Sequence, residues 1–129
     1  MKVAITSKGK SMDSEIEPRF SRSPFFVIVD TETGGVKAFE NPGASAKDAA
    51  CVDAVQSLTG KGVKTVLTGN VGHNAFVTLQ DATIRIYLGA TGTVRSAVED
   101  FKKRRLSRAK EPSVGFREGL KKGAAIKKA

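Results

Sequence analysis

Apolar residues along this chain recur with two periods, and the switching between them predicts the fold class. Val3-Ala4-Ile5 opens the chain as an unbroken apolar run, the pattern of a strand buried on both faces, and the strand is expected over residues 3–6. Phe25-Phe26-Val27-Ile28-Val29-Asp30 is a second β-prone run, entered through Pro24. Thr33-Gly34-Gly35 then turns the chain into Val36-Lys37-Ala38-Phe39, which makes a hairpin. Asn41-Pro42-Gly43 breaks the pattern, and Ser45-Ala46-Lys47-Asp48 resembles a capping box with Asp in place of Glu. The helix started there carries Cys51, Val55 and Leu58 on one face and stops at Gly60-Lys61-Gly62. Beyond it the periods alternate. A strand is predicted over 63–67, a helix over 74–81 with Ala75, Phe76 and Leu79 inward, and a strand over 84–88. A last helix runs from Thr93 with Val94, Ala97, Val98 and Phe101 on one face.

Strands alternating with helices imply parallel pairing, and the early hairpin adds antiparallel strands. The expectation is one α/β domain with a five-stranded mixed sheet, an N-terminal antiparallel hairpin and three helices. In such open sheets ligands bind beyond the carboxyl ends of the parallel strands. That rule gathers the loops at 7–11, 69–74 and 89–93 on one edge.

Composition refines this picture in three ways. At 129 residues the chain fits a single domain, and no apolar run approaches the ~20 residues of a membrane span. The start of the chain is too quickly polar for a signal peptide, and one cysteine forms no internal disulfide, so a cytoplasmic protein is expected. The net charge of +9 is not spread evenly: residues 1–100 hold 11 Lys/Arg against 11 Asp/Glu, and the whole excess falls in 101–129. Periodicity fades after Leu106. Residues 1–106 are therefore read as the folded domain and 107–129 as a basic, disordered tail.

The clearest chemical signal is the loop Gly69-Asn70-Val71-Gly72-His73-Asn74, which holds the chain's one histidine. A glycine-rich turn between a strand and a helix leaves backbone N–H groups and the positive end of a helix dipole facing whatever binds there. Gly89-Ala90-Thr91-Gly92-Thr93 repeats the arrangement at the next strand. Together they read as a cradle for an anion.

The order of motifs resembles the family of dinitrogenase iron–molybdenum cofactor biosynthesis proteins. The matching stretches are Pro18-Arg19-Phe20-Ser21-Arg22-Ser23-Pro24-Phe25-Phe26, Ile28-Val29-Asp30-Thr31-Glu32-Thr33-Gly34, Glu40-Asn41-Pro42, Gly69-Asn70-Val71-Gly72-His73-Asn74-Ala75-Phe76 and Gly89-Ala90-Thr91-Gly92-Thr93-Val94. The resemblance spans about residues 1–105 and implies a ribonuclease-H-like fold. It also implies a small protein that stores or delivers an anionic molybdenum-containing metal–sulfur cluster, of the iron–molybdenum or molybdenum–copper sulfide type, between donor and acceptor proteins. Arg19 and Phe20 are then cluster contacts beside the two glycine loops, against the plainer readings of an arginine bonded to loop carbonyls and, favoured for Phe20, a phenylalanine in a small satellite core. The chain departs from the family at His73, where proline is common, and at Ala49-Ala50-Cys51, where many members have glycines.

Both departures introduce potential metal ligands. His73 offers an imidazole nitrogen, against the plainer reading of a surface histidine hydrogen-bonded near a helix start. Cys51 offers a thiolate in a helix's first turns, against the more common reading of a small buried hydrophobe. One histidine and one cysteine fall short of a four-ligand zinc site, so a bound cluster brings most of its own coordination.

Enzymatic readings find little support. Ribonuclease-H-type catalysis needs carboxylates at strand ends, and the first strand has none; Asp48, Asp53 and Asp81 fall on or at the ends of helices. No serine has an evident triad, and no phosphate loop with its lysine occurs. The alternative to a cluster carrier is an interaction module whose basic tail binds an acidic protein or nucleic acid. The scarcity of aromatic residues in the tail disfavours nucleic acid.

Overall fold

The computed structural model describes residues 1–42 and 50–111, with the side chains of Ala50 and Cys51 excepted. The candidate capping box at 45–48 and the tail from 112 onward lie outside the described residues. Nine elements follow one another: β1 (Lys2–Ser7), β2 (Phe25–Asp30), β3 (Val36–Glu40), α1 (Ala50–Gly60), β4 (Thr65–Leu67), α2 (His73–Asp81), β5 (Arg85–Leu88), α3 (Val94–Lys102) and β6 (Ser107–Arg108), with a short 3₁₀ turn at Phe20–Arg22.

The sheet runs in the order β3-β2-β1-β4-β5-β6. β1 and β2, and β2 and β3, pair antiparallel, while β4 lies parallel to β1 and β5 parallel to β4. The sheet has six strands where five were expected. The sixth pairs antiparallel with β5 through Tyr87↔Arg108 and Leu88↔Ser107, within the stretch assigned to the tail. Two exposed polar residues give no apolar pattern, and only main-chain bonds, with Ala109 N–H to the Ile86 carbonyl at 2.8 Å, mark the strand.

Alternation along the strands builds two cores. Ala4, Ile28, Val66 and Ile86 face one side, where Val55 and Leu58 of α1 and Ala75, Phe76 and Leu79 of α2 cover them. Val3, Ile5, Val27, Val29 and Leu67 face the other, under Val94, Ala97 and Val98 of α3, with Tyr87 and Phe101 in edge contact at 5.1 Å between centroids. β1 is therefore apolar without interruption because both of its faces are buried. No helix among the described residues is long and apolar enough to cross a membrane.

Candidate functional site

The carboxyl ends of the parallel strands β1, β4 and β5 meet at one edge, as the topology requires, and three loops close over them. The loop after β1 does most of the joining. Asn70 N–H donates to the Pro18 carbonyl at 2.6 Å and Phe20 N–H to the Asn70 carbonyl at 3.4 Å, a parallel bridge that sets Arg19 beside Asn70. Gly69 is required by this crossing: a Cβ there would lie 3.0 Å from the Cα and carbonyl oxygen of Pro18. The glycine makes room for another stretch of backbone. The β4 and β5 loops join each other as well, through Gly89 N–H to the Gly69 carbonyl at 3.4 Å and Ala90 N–H to the Thr68 carbonyl at 3.2 Å.

Two fully buried threonines sit beneath the crossing. Thr6, in β1, donates its hydroxyl to the Glu17 carbonyl at 2.6 Å and stands 3.0 Å from the Thr68 hydroxyl, which lies 3.3 Å from the Pro18 carbonyl. Sequence reasoning missed Thr6, Glu17, Pro18 and Thr68. A hydroxyl at corresponding ends of two neighbouring strands was the available signal.

The two helix starts at this edge differ. At α3 the first amides are taken: Val94 N–H goes to the Ser14 carbonyl at 2.9 Å, Arg95 N–H to the Met12 carbonyl at 2.7 Å, and Ser96 N–H to Thr93 Oγ1 at 3.1 Å. The Ser96 hydroxyl in turn accepts from Thr93 N–H at 3.0 Å, completing a capping box, and Gly92, at φ +79°, brings the chain into position. Residues 89–93 are thus built around the loop at 12–16 rather than around an open anion cradle. At α2 the N-cap is Gly72, in extended conformation, with no side-chain cap; His73 and Asn74, both exposed, form the first turn. The positive end of the α2 dipole lies at this edge, and its N-cap glycine contributes no side chain to it.

The other expected residues divide by burial. Phe20, Val71 and Ala90 are buried, and the Phe20 ring packs 5.5 Å from Phe26 in the core under α1, so only their backbone borders the edge. Arg19 is mostly exposed. Its Nε lies 3.7 Å from the nearly buried Glu17 carboxylate, which also accepts the Arg19 N–H at 3.2 Å. The Glu17 carboxylate offsets part of the Arg19 charge, and the α2 dipole adds a positive end at the same edge. Cys51 belongs to α1, which packs against the Phe20–Arg22 turn, and its side chain lies outside the described residues. Among the described residues no three His, Cys, Asp or Glu side chains come together as a metal site.

Against known proteins, the chain matches the dinitrogenase iron-molybdenum cofactor family over residues 1–104. None of the curated proteins matches it. Among solved structures, the apo form of the orange protein from Desulfovibrio gigas is 34% identical with a TM-score of 0.82, covering 86% of this chain and 94% of its own. A Thermotoga protein described as a candidate NifB protein is 41% identical with a TM-score of 0.73, covering 87% and 92%. A candidate dinitrogenase from Methanocaldococcus jannaschii, 23% identical with a TM-score of 0.65 over 87% and 97%, shares the fold. With the match running from the first strand through α3 and both glycine loops, the chain belongs to the dinitrogenase iron-molybdenum cofactor family.

Proposed function

We propose that this protein carries an anionic, molybdenum-type metal–sulfur cluster as cargo, without catalysis, on the edge formed by Arg19, Gly69, Asn70, Gly72, His73, Asn74 and Gly89. The observation that carries this reading is the start of α2, with a glycine as N-cap, set beside Asn70 and Arg19 on an edge stitched by main-chain bonds. Backbone N–H groups at a helix start suit sulfides and oxides, which are diffuse acceptors. Few ligating side chains stand there, which suits a cluster that arrives with its inorganic coordination complete. His73, in the first turn of α2, is the protein's one offered nitrogen ligand in this reading. The domain carries no net charge over residues 1–100, so cargo selection rests on local backbone geometry.

The strand order and directions also support a ribonuclease-H-like fold, extended by β6. Such a fold carries no nuclease activity with it, since the positions facing this edge from β1 are Thr6 and Ser7 instead of carboxylates. Donor and acceptor proteins would load and unload the edge in the cytoplasm.

Anaerobic reconstitution with thiomolybdate, alone and with copper or iron, tests the proposal. A stoichiometric visible chromophore with bound molybdenum is expected. No chromophore under any combination would refute the carrier role. An unchanged spectrum in His73→Ala would remove only the ligand role of that residue.

A further inference from the structure

The opposite end of the sheet carries a different chemistry. Lys2 starts β1, Lys64 immediately precedes β4, Arg85 starts β5 and Arg108 ends β6. These four strands are consecutive neighbours spanning ~14 Å of sheet at ~4.8 Å per strand. Lys2 and Lys64 alternate to the face covered by α1 and α2, and Arg85, beside Thr65, and Arg108, beside Tyr87, to the face covered by α3, so the basic residues flank the sheet end from both faces. All four line one open cavity of about 820 Å³, where Asp81 is the only carboxylate among the described residues. Lys64, Arg85 and Arg108 form no ion pair among the described residues, while Lys2 Nζ lies 3.4 Å from the Lys61 carbonyl and shares its charge with the Asp30 carboxylate. Unneutralised cations in a concave site focus their field outward and hold counter-ions there.

Shape and lining narrow the class of counter-ion. Successive side chains of an extended peptide alternate in direction, with ~7 Å between those on one face, so an acidic segment lying along the sheet end presents carboxylates to both pairs of basic residues. Among the described residues no aromatic ring lines the cavity on which a nucleic-acid base would stack. β6 also ends the sheet among the described residues and offers a main-chain edge beside Arg108, the surface to which an added strand pairs.

We propose that this groove docks an extended acidic segment of a partner protein, at the end of the sheet remote from the α2 start. The inference stands apart from the identity of any cargo. It implies that partner docking and the candidate cargo edge are accessible together.

The test is fluorescence anisotropy of a labelled octaglutamate peptide against the full chain at physiological ionic strength. Saturable binding is expected, about tenfold weaker in K64E/R85E and intermediate in K64Q/R85Q. The control K10E/K37E makes the same change in net charge at exposed sites away from the groove and is expected to bind as the parent does. Thermal melts confirm folding of each variant, and the glutamine pair decides if the glutamate pair does not fold. Absence of binding, equal losses in groove and control variants, or preference for an oligonucleotide or tripolyphosphate over the peptide would each overturn the proposal.

Discussion

Thr6 and Thr68 bring their hydroxyl oxygens to 3.0 Å at the carboxyl ends of the two central parallel strands, both fully buried. The pair holds the crossing of residues 17–20 over β4, because Thr6 also reaches the Glu17 carbonyl. Thr6→Val keeps the shape and removes that bond, leaving a carbonyl and a hydroxyl with one partner fewer. A loss of ~1–3 kcal/mol is expected in denaturant melts. Thr6→Ser, which keeps the hydroxyl, is expected to lose ~1 kcal/mol for the missing methyl group.

Gly69→Ala tests the close approach of Pro18. The added methyl meets backbone atoms at 3.0 Å, and backbone yields less readily than a flexible side chain. Destabilisation of ~1–3 kcal/mol is expected. Amide exchange at Asn70, whose N–H is held by the Pro18 carbonyl, is expected to accelerate more than exchange at Val27 in the sheet centre.

Gly72 separates stability from cargo binding. Its extended backbone accepts any residue, and an added Cβ meets no atom of the described residues within 4 Å. Gly72→Ser and Gly72→Asp both supply a side-chain cap that glycine lacks and are expected to raise stability by a few tenths of a kcal/mol to ~1 kcal/mol. Asp also places a carboxylate over the α2 start. Reconstitution with thiomolybdate is expected to fail or weaken severely in the Asp variant, while the chromophore persists in the Ser variant. By contrast Thr93→Ala, at the already occupied α3 start, is expected to cost ~1 kcal/mol and leave the chromophore unchanged.

Asp30 gives stability an acid-side dependence. Hydrogen bonds from the Glu32 and Thr33 amides, with the Met1 amine nearby, hold its carboxyl below the ordinary 3.8 despite some opposing desolvation. A carboxyl whose folded value is depressed stabilises the fold above its ordinary value and loses that contribution as pH falls through the folded one. Asp30→Asn is therefore expected to melt below the parent at neutral pH. The gap should narrow as pH drops from ~5 to ~2.5, checked by paired melting curves.

The parts of the fold that were legible in sequence are those whose signal is local. Ala75, Phe76 and Leu79, like Val94, Ala97 and Val98, declare their helices by spacing alone, and each is buried as that spacing requires. Gly69 was legible as a special position but for the wrong reason, since its contact is Pro18, far away in sequence. The same distance hid the fate of the α3 amides, whose acceptors on Met12 and Ser14 are main-chain carbonyls that no residue type advertises. Ser107-Arg108 became a strand purely by docking its backbone onto β5, and hydropathy does not register such an event. For Phe20 the plainer reading, a ring in an apolar cluster, is the one the structure shows, because its ring packs in the core under α1.

The bonds from Val94 and Arg95 to Ser14 and Met12 have a consequence for how the protein is made. They tie the first third of the chain to its last helix. During synthesis β1 and its following loop leave the ribosome long before α3, so the loop waits for donors that do not yet exist. A nascent chain stopped short of Val94 has no finished edge to offer. In the carrier reading proposed above, loading would then wait for translation to pass α3, which would make the edge its own check on completeness.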